Sequence, residues 1–317
     1  WRTSRPLRWK NLMKRVSIFL LFIFLLVACA PTPTASAVPD EPTATLFAPT
    51  LTATSIPSSI PPSPTATPIP CDPLAVDFCI VDGHFVFQLP IHPPGNDSVE
   101  ETYRFASTAA GTREPHHGVE FENATGTPVH AAADGQVIFA GPDKEAVYSP
   151  WPGFYGNIIV LRHADDLFTL YAHLSRIEVK AGQEVAAGQK IGEVGKSGTA
   201  QGSHLHFEVR RGDVEDYFSA LNPELWLAPK TDEGVLAISV VDAQGNYRHA
   251  DLTIRSDGKT YFIKTYEAKF LSMEENAALG GLEPGRYRIA LLYRGTIYER
   301  WVDVQSGKLT QVVIVVK

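Results

Sequence analysis

Gly202-Ser203-His204-Leu205-His206-Phe207-Glu208-Val209 alternates polar and apolar side chains, the pattern of a strand with one face on a core. Successive strand residues point to opposite faces. His204 and His206 therefore share one face, while Leu205 and Phe207 enter a core on the other. Upstream, His116-His117-Gly118-Val119-Glu120 and Tyr171-Ala172-His173-Leu174-Ser175 supply more histidines and a carboxylate. If the first of these is extended, His116, Gly118 and Glu120 also share a face, with Gly118 leaving room for an ion. Two histidines and one carboxylate, with a fourth position left for water, form a ligand set used by catalytic zinc. A neutral histidine nearby can take a proton and pass it to a leaving amine. A second can hydrogen-bond to the oxyanion that develops on an attacked carbonyl. This chemistry is hydrolysis of a peptide bond. His130, His163 and His249 read as structural, and His117, facing away from His116, as packing.

The three motifs resemble the M23 family of peptidases, the lysostaphin- and LytM-like zinc endopeptidases. The resemblance runs over roughly residues 80 to 228 and includes the filler Gly126-Thr127-Pro128-Val129, Ala131-Ala132-Ala133-Asp134-Gly135, Gly182-Gln183-Glu184-Val185 and Gly188-Gln189-Lys190-Ile191-Gly192. It implies that His116, Glu120 and His206 bind Zn²⁺ and that His173 and His204 are the unliganded catalytic pair. It also implies a peptidoglycan peptide as substrate. One position departs from the family: Glu120 stands where H-x-G-x-D has Asp. The extra methylene moves the carboxylate by about one C–C bond length, so the backbone must compensate. Glycine-spaced strands such as Val179 to Val194 also occur in lipoyl and biotinyl carriers. Lys190, however, reads as the start of a strand rather than as an exposed hairpin tip.

The N-terminal part predicts export. Residues 1–12 read as an upstream extension, Met13-Lys14-Arg15 as the charged start of a signal peptide, and Val16 to Val27 as its apolar run, short for a membrane span. Leu26-Val27-Ala28-Cys29 resembles the lipobox of bacterial lipoproteins, which makes Cys29 the lipidated residue and the membrane anchor. A cleaved secretory signal with an incidental cysteine is the alternative. Residues 30–70 are rich in Pro, Thr, Ser and Ala and nearly uncharged, a composition that cannot offset its ordering entropy and reads as a disordered linker. Cys71 and Cys79 form an even pair in an oxidising compartment and predict a disulfide, two free thiols being the alternative.

Residues 71–229 read as almost all β, in short apolar runs such as Gln136 to Ala140, Asn157 to Leu161 and Phe168 to Ala172. Pro142 to Gly156 is a loop bearing Tyr148, Trp151, Phe154 and Tyr155, suited to wall a cleft. Residues 234–317 carry strand runs at Val235 to Val241, Ala250 to Arg255, Thr260 to Thr265, Arg286 to Tyr293, Thr296 to Val304 and Leu309 to Val316, separated by turn signals. About seven strands in about 85 residues suggest a small β-sandwich, loosely resembling carboxypeptidase-regulatory-like domains. The expected fold is thus all-β: an M23-type antiparallel sheet domain followed by a sandwich. With 28 basic against 35 acidic residues, the net charge of −7 argues against nucleic acid as a partner. The expected function is a zinc endopeptidase of peptidoglycan, lipid-anchored in the cell envelope outside the cytoplasm. The competing expectation is a weak or inactive module that binds the wall or activates a partner hydrolase.

Overall fold

The computed structural model describes residues 70–317; the signal segment, Cys29 and most of the linker lie outside the described residues. In chain order the strands are β1 (Cys79–Val81), β2 (Val119–Glu122), β3 (Pro128–His130), β4 (Gly135–Pro142), β5 (Asn157–Arg162), β6 (Leu167–Ala172), β7 (Arg176–Ile177), β8 (Glu184–Val185), β9 (Lys190–Glu193), β10 (His204–Arg211), β11 (Ala220–Leu221), β12 (Gly234–Val241), β13 (Asp251–Arg255), β14 (Thr260–Lys264), β15 (Ala277–Leu282), β16 (Gly285–Tyr293), β17 (Thr296–Val304) and β18 (Leu309–Val315). The protein is all-β, with only short 3-10 turns at Tyr217–Ser219 and Pro223–Leu225 among the described residues. No helix among them is long and apolar enough to cross a membrane.

The site-bearing sheet has the order β11-β10-β6-β5-β4-β8, with β2 also paired to β10. Every ladder in it is antiparallel. The register sets Glu120 opposite His206 and Glu122 opposite His204, and Ala172 opposite His206 on the other side. The alternation of β10 then sorts its side chains. Leu205, Phe207 and Val209 are fully buried in the main core with Val119, Phe121, Tyr171 and Leu174. Each such side chain contributes on the order of 1.5–3 kcal/mol by leaving water. His204, His206, Glu208 and Arg210 line the opposite face.

Gly118 has a different task from leaving room for an ion. A Cβ there would stand 2.2 Å from the Phe207 carbonyl oxygen. The glycine lets the entry to β2 lie against β10 closely enough for His116 and Glu120 to reach His206. A small sheet, β3-β9-β7, sends Val129 and Ile191 into the same main core, and Lys190 opens β9 as a strand residue.

The C-terminal strands form two four-stranded sheets, β1-β18-β12-β15 and β14-β13-β16-β17, packed face to face over a second core. Cys79–Val81, sequentially part of the upstream region, is the edge strand of the first of these, with Cys79 opposite Gln311. Cys71 and Cys79 are joined in a disulfide. β12 is covered on both faces. Leu236, Ile238 and Val240 enter the sandwich core, whereas Val235 and Ala237 pack with Leu225, Trp226 and Leu227 in the main core. That double burial explains its nearly unbroken apolar run.

Candidate metal centre and cleft

Three side chains converge at the mouth of β2 and β10. His116 Nε2 lies 3.4 Å from Glu120 Oε1 and 3.2 Å from His206 Nδ1, and His206 Nδ1 lies 3.9 Å from Glu120 Oε1. The outer nitrogens of both rings are occupied. His116 Nδ1 faces the Arg104 carbonyl at 3.2 Å, and His206 Nε2 faces Glu208 Oε1 at 3.0 Å. Carbonyl and carboxylate oxygens only accept, so each outer nitrogen carries the proton. The inner nitrogens, His116 Nε2 and His206 Nδ1, then face Glu120: as lone pairs when a cation sits between them, and through a proton when none does. Two lone pairs and a carboxylate aimed at one point repel one another unless a cation sits between them. Ligand atoms about 2.0–2.1 Å from a tetrahedral zinc stand about 3.3–3.4 Å apart, close to two of the three spacings, with His206 to Glu120 longer at 3.9 Å. The residues therefore fit a zinc ion, and the histidine–carboxylate pair His206–Glu208 is the usual outer support of a metal-bound imidazole.

The electrostatics favour positive charge at this point. Burial pulls the His206 pKa down, but hydrogen bonds to Glu120 and Glu208 outweigh it and raise it to about 9. Burial pushes the Glu120 carboxyl up, yet the hydrogen bonds from His116 and His206 hold it well below the usual carboxylate range. Glu208 is likewise buried but held low by Arg210 and His206. Arg210 donates from Nε to Glu208 Oε2 at 2.7 Å and from its terminal nitrogen to the Tyr148 carbonyl at 2.9 Å. Tyr155 donates its hydroxyl proton to Glu208 Oε1.

His173 and His204 flank the centre, their ring centroids 4.9 Å apart. His173 Nδ1 meets the Ser197 carbonyl at 2.9 Å and His204 Nδ1 the Gly202 carbonyl at 3.2 Å. Both rings therefore present Nε2 as an acceptor. His204 Nε2 is buried without a hydrogen-bond partner, 3.3 Å from Glu120 Oε2. Burial lowers the His173 pKa to about 3, with His206 and His204 adding to the shift. Burial lowers that of His204 as well, against the pull of Glu120. Both are neutral at pH 7, the form a general base needs. His173 sits just past β6 with φ +61°, a left-handed backbone that a non-glycine residue holds only at a cost of about 1–3 kcal/mol.

All five side chains line one cleft of ≈ 950 Å³. Trp151, Phe154 and Tyr155 from the aromatic loop wall one side; Tyr148 instead packs into a small core beneath. Tyr103 also faces the cleft and stacks on His116 at 4.1 Å between ring centroids. Arg113 lies over Tyr103 and donates to Gln201 at 2.9 Å. The other histidines do not join the cluster, although His117 also lines the cleft. His117 stacks on Tyr217, His130 on His92, His163 bridges Asp134 and Thr169, and His249 is exposed. Sequence reasoning assigned no role to Glu208, Arg210, Tyr103 or Arg104. Glu208 and Arg210 were open to discovery, since period two puts them on the His206 face.

An all-β domain with a His/Glu/His centre and two neutral histidines in one cleft defines a metallopeptidase-like class. Residues 114–218 match the model of Peptidase family M23, and this stretch is an M23 peptidase domain. Three relatives illustrate the likeness. Peptidoglycan DD-endopeptidase ShyA of Vibrio cholerae is 37% identical over 119 residues, covering 37% of this chain and 26% of that protein. DD-carboxypeptidase/endopeptidase Mpg of Neisseria meningitidis serogroup B is 42% identical over 95 residues, covering 30% and 20%. Murein hydrolase activator NlpD of Escherichia coli is 36% identical over 117 residues, covering 37% and 27%. The chain thus spans about a quarter of the length of the curated relatives it matches.

Proposed function

We propose that this chain is a zinc-dependent endopeptidase that cleaves peptide bonds in peptidoglycan. The observation that carries the reading is the pairing of two sets in one cleft: three inward lone-pair donors at zinc spacing, and two neutral histidines beside them. Zinc, when bound, would supply Lewis acidity to the substrate carbonyl and make water nucleophilic near neutral pH. His116, Glu120 and His206 would hold it. His204 or His173, each with Nε2 free to accept, would take the proton from the attacking water. Once protonated, the same nitrogen can donate to the oxyanion or to the leaving amine. Tyr155, Phe154 and Trp151 would exclude water along one wall. The relatives' names and the predicted export signal support an extracytoplasmic envelope location, and Cys29, if lipidated, would anchor the protein to the membrane.

Glu120 in the place of Asp, and the likeness to an activator, favour a second reading: a module that binds the wall and stimulates a partner hydrolase. Digestion of isolated peptidoglycan by the zinc-loaded protein separates the two. The enzyme reading expects new amino termini in wild type and none in His204→Ala. Folded, zinc-loaded wild type that releases none would overturn it in favour of the activator.

A further inference from the structure

The segment that steadies His116 is itself held by the C-terminal sandwich. His116 is bonded to Arg104–Ser107 at three points: its Nδ1 to the Arg104 carbonyl, its backbone N–H to the Ser107 carbonyl at 2.9 Å, and its carbonyl to the Ala106 N–H at 2.7 Å. Nothing in the local sequence makes this segment regular. Ala106 has φ +63°, a left-handed conformation that a residue with a Cβ adopts only under outside constraint.

The sandwich constrains the segment by two routes, one indirect through Glu224 of the sheet domain and one direct. In the first, Arg104 donates from one terminal nitrogen to both oxygens of Glu224, at 2.9 and 2.8 Å. Glu224 is buried, and its Oε2 also accepts the Gly280 N–H of β15 at 2.7 Å. In the second, Glu267, in the loop between β14 and β15, accepts from the Thr108 N–H at 2.5 Å and the Thr108 hydroxyl at 2.9 Å. The Glu267 N–H also donates to the Ala106 carbonyl at 3.2 Å. Phe105 packs against Tyr266 and Phe270 of the same loop, and Phe270 meets the ring of His117. Glu267 of the sandwich thus fixes one end of the stretch whose carbonyl fixes the tautomer of His116, and Glu224, itself held by Gly280 of β15, fixes the other.

We propose that the C-terminal sandwich is a working part of the metal centre, with Glu267, Glu224 and Arg104 acting as positioning residues for His116. This rests on the reading of His116 as a metal ligand. The side-chain acceptor on residue 267 sets the position of Thr108, and with it the path of Arg104 to His116. A sandwich that serves only as a tether or a wall-binding module would leave metal affinity indifferent to Glu267.

The test uses the full chain and zinc alone. Zinc affinity is measured by competition with a chromophoric chelator, together with the visible spectrum of the Co²⁺-substituted protein and the denaturant midpoint of the metal-free form. Glu267→Ala should weaken zinc binding by roughly tenfold, the lower end of what outer supports of metal ligands contribute, and should shift the Co²⁺ bands. Glu267→Gln keeps an oxygen acceptor and should stay within about threefold of wild type. Wild-type affinity in folded Glu267→Ala overturns the proposal, as does an equal loss in folded Glu267→Gln. If Glu267→Ala does not fold, Thr108→Ala, which deletes one of the two donors, decides: weakened binding supports the coupling and unchanged binding overturns it. His116→Ala separates the underlying reading, because zinc bound as tightly without that ring would mean the ligand assignment has failed.

Discussion

Glu208 is fully buried, and its two oxygens answer to Tyr155, His206 and Arg210. Arg210 is as deeply buried and has no other carboxylate within salt-bridge reach among the described residues. Removing one partner of such a pair leaves an uncompensated charge and costs about 3–5 kcal/mol. Glu208→Ala should lower the unfolding free energy by about that much in chelator-treated protein, read from denaturant midpoints. A loss under about 1 kcal/mol would mean Arg210 finds water or another acceptor. The residues on β10 were legible, because a period of two assigns His204, His206, Glu208 and Arg210 to one face without reference to anything else. The partners were not. Tyr155 and Arg104 arrive from irregular segments, whose paths depend on long-range packing and carry no local period.

Gly118 shows how one strand contact sets the spacing of the whole site. Its missing Cβ admits the Phe207 carbonyl, and that oxygen belongs to backbone, which cannot swing aside as a side chain would. Gly118→Ala must therefore push the entry to β2 away from β10. Overpacking of this kind costs about 1–3 kcal/mol, and His116 and Glu120 ride on the displaced segment. The variant should unfold at lower denaturant and bind zinc more weakly; wild-type behaviour in both would show that the strands need not touch there. Elsewhere the strand pattern read well. β16, β17 and β18 fall within a residue of the expected runs, because β-branched and aromatic residues alternate there between turn signals. β15 escaped: Ala277-Ala278-Leu279-Gly280-Gly281-Leu282 has little strand propensity. It is a strand because β12 offers a free edge and because Glu224 takes the Gly280 N–H.

The sheet domain and the sandwich meet over Asn222, Tyr266 and Glu275, a chain of buried polar groups with Asn222 donating to Tyr266 at 2.9 Å and Tyr266 to Glu275 at 2.6 Å. Burial raises the Glu275 pKa to about 7 against the help of Tyr266, and neighbouring Glu274 adds to the rise. The folded state thus prefers the protonated acid. Stability from this group is complete below about pH 4.5, the unfolded value, and is lost as pH climbs through about 7. Glu275→Gln should remove up to about 3 kcal/mol of that fall, giving a flatter stability profile between these limits; an unchanged profile would place the titration elsewhere. The central claim concerns which side chains hold the ion, and zinc content of purified chains, measured by elemental analysis, reads it most directly. The account predicts about one zinc per chain in wild type and in His204→Ala, and almost none in His206→Ala. Zinc retained in His206→Ala and lost in His204→Ala would contradict it.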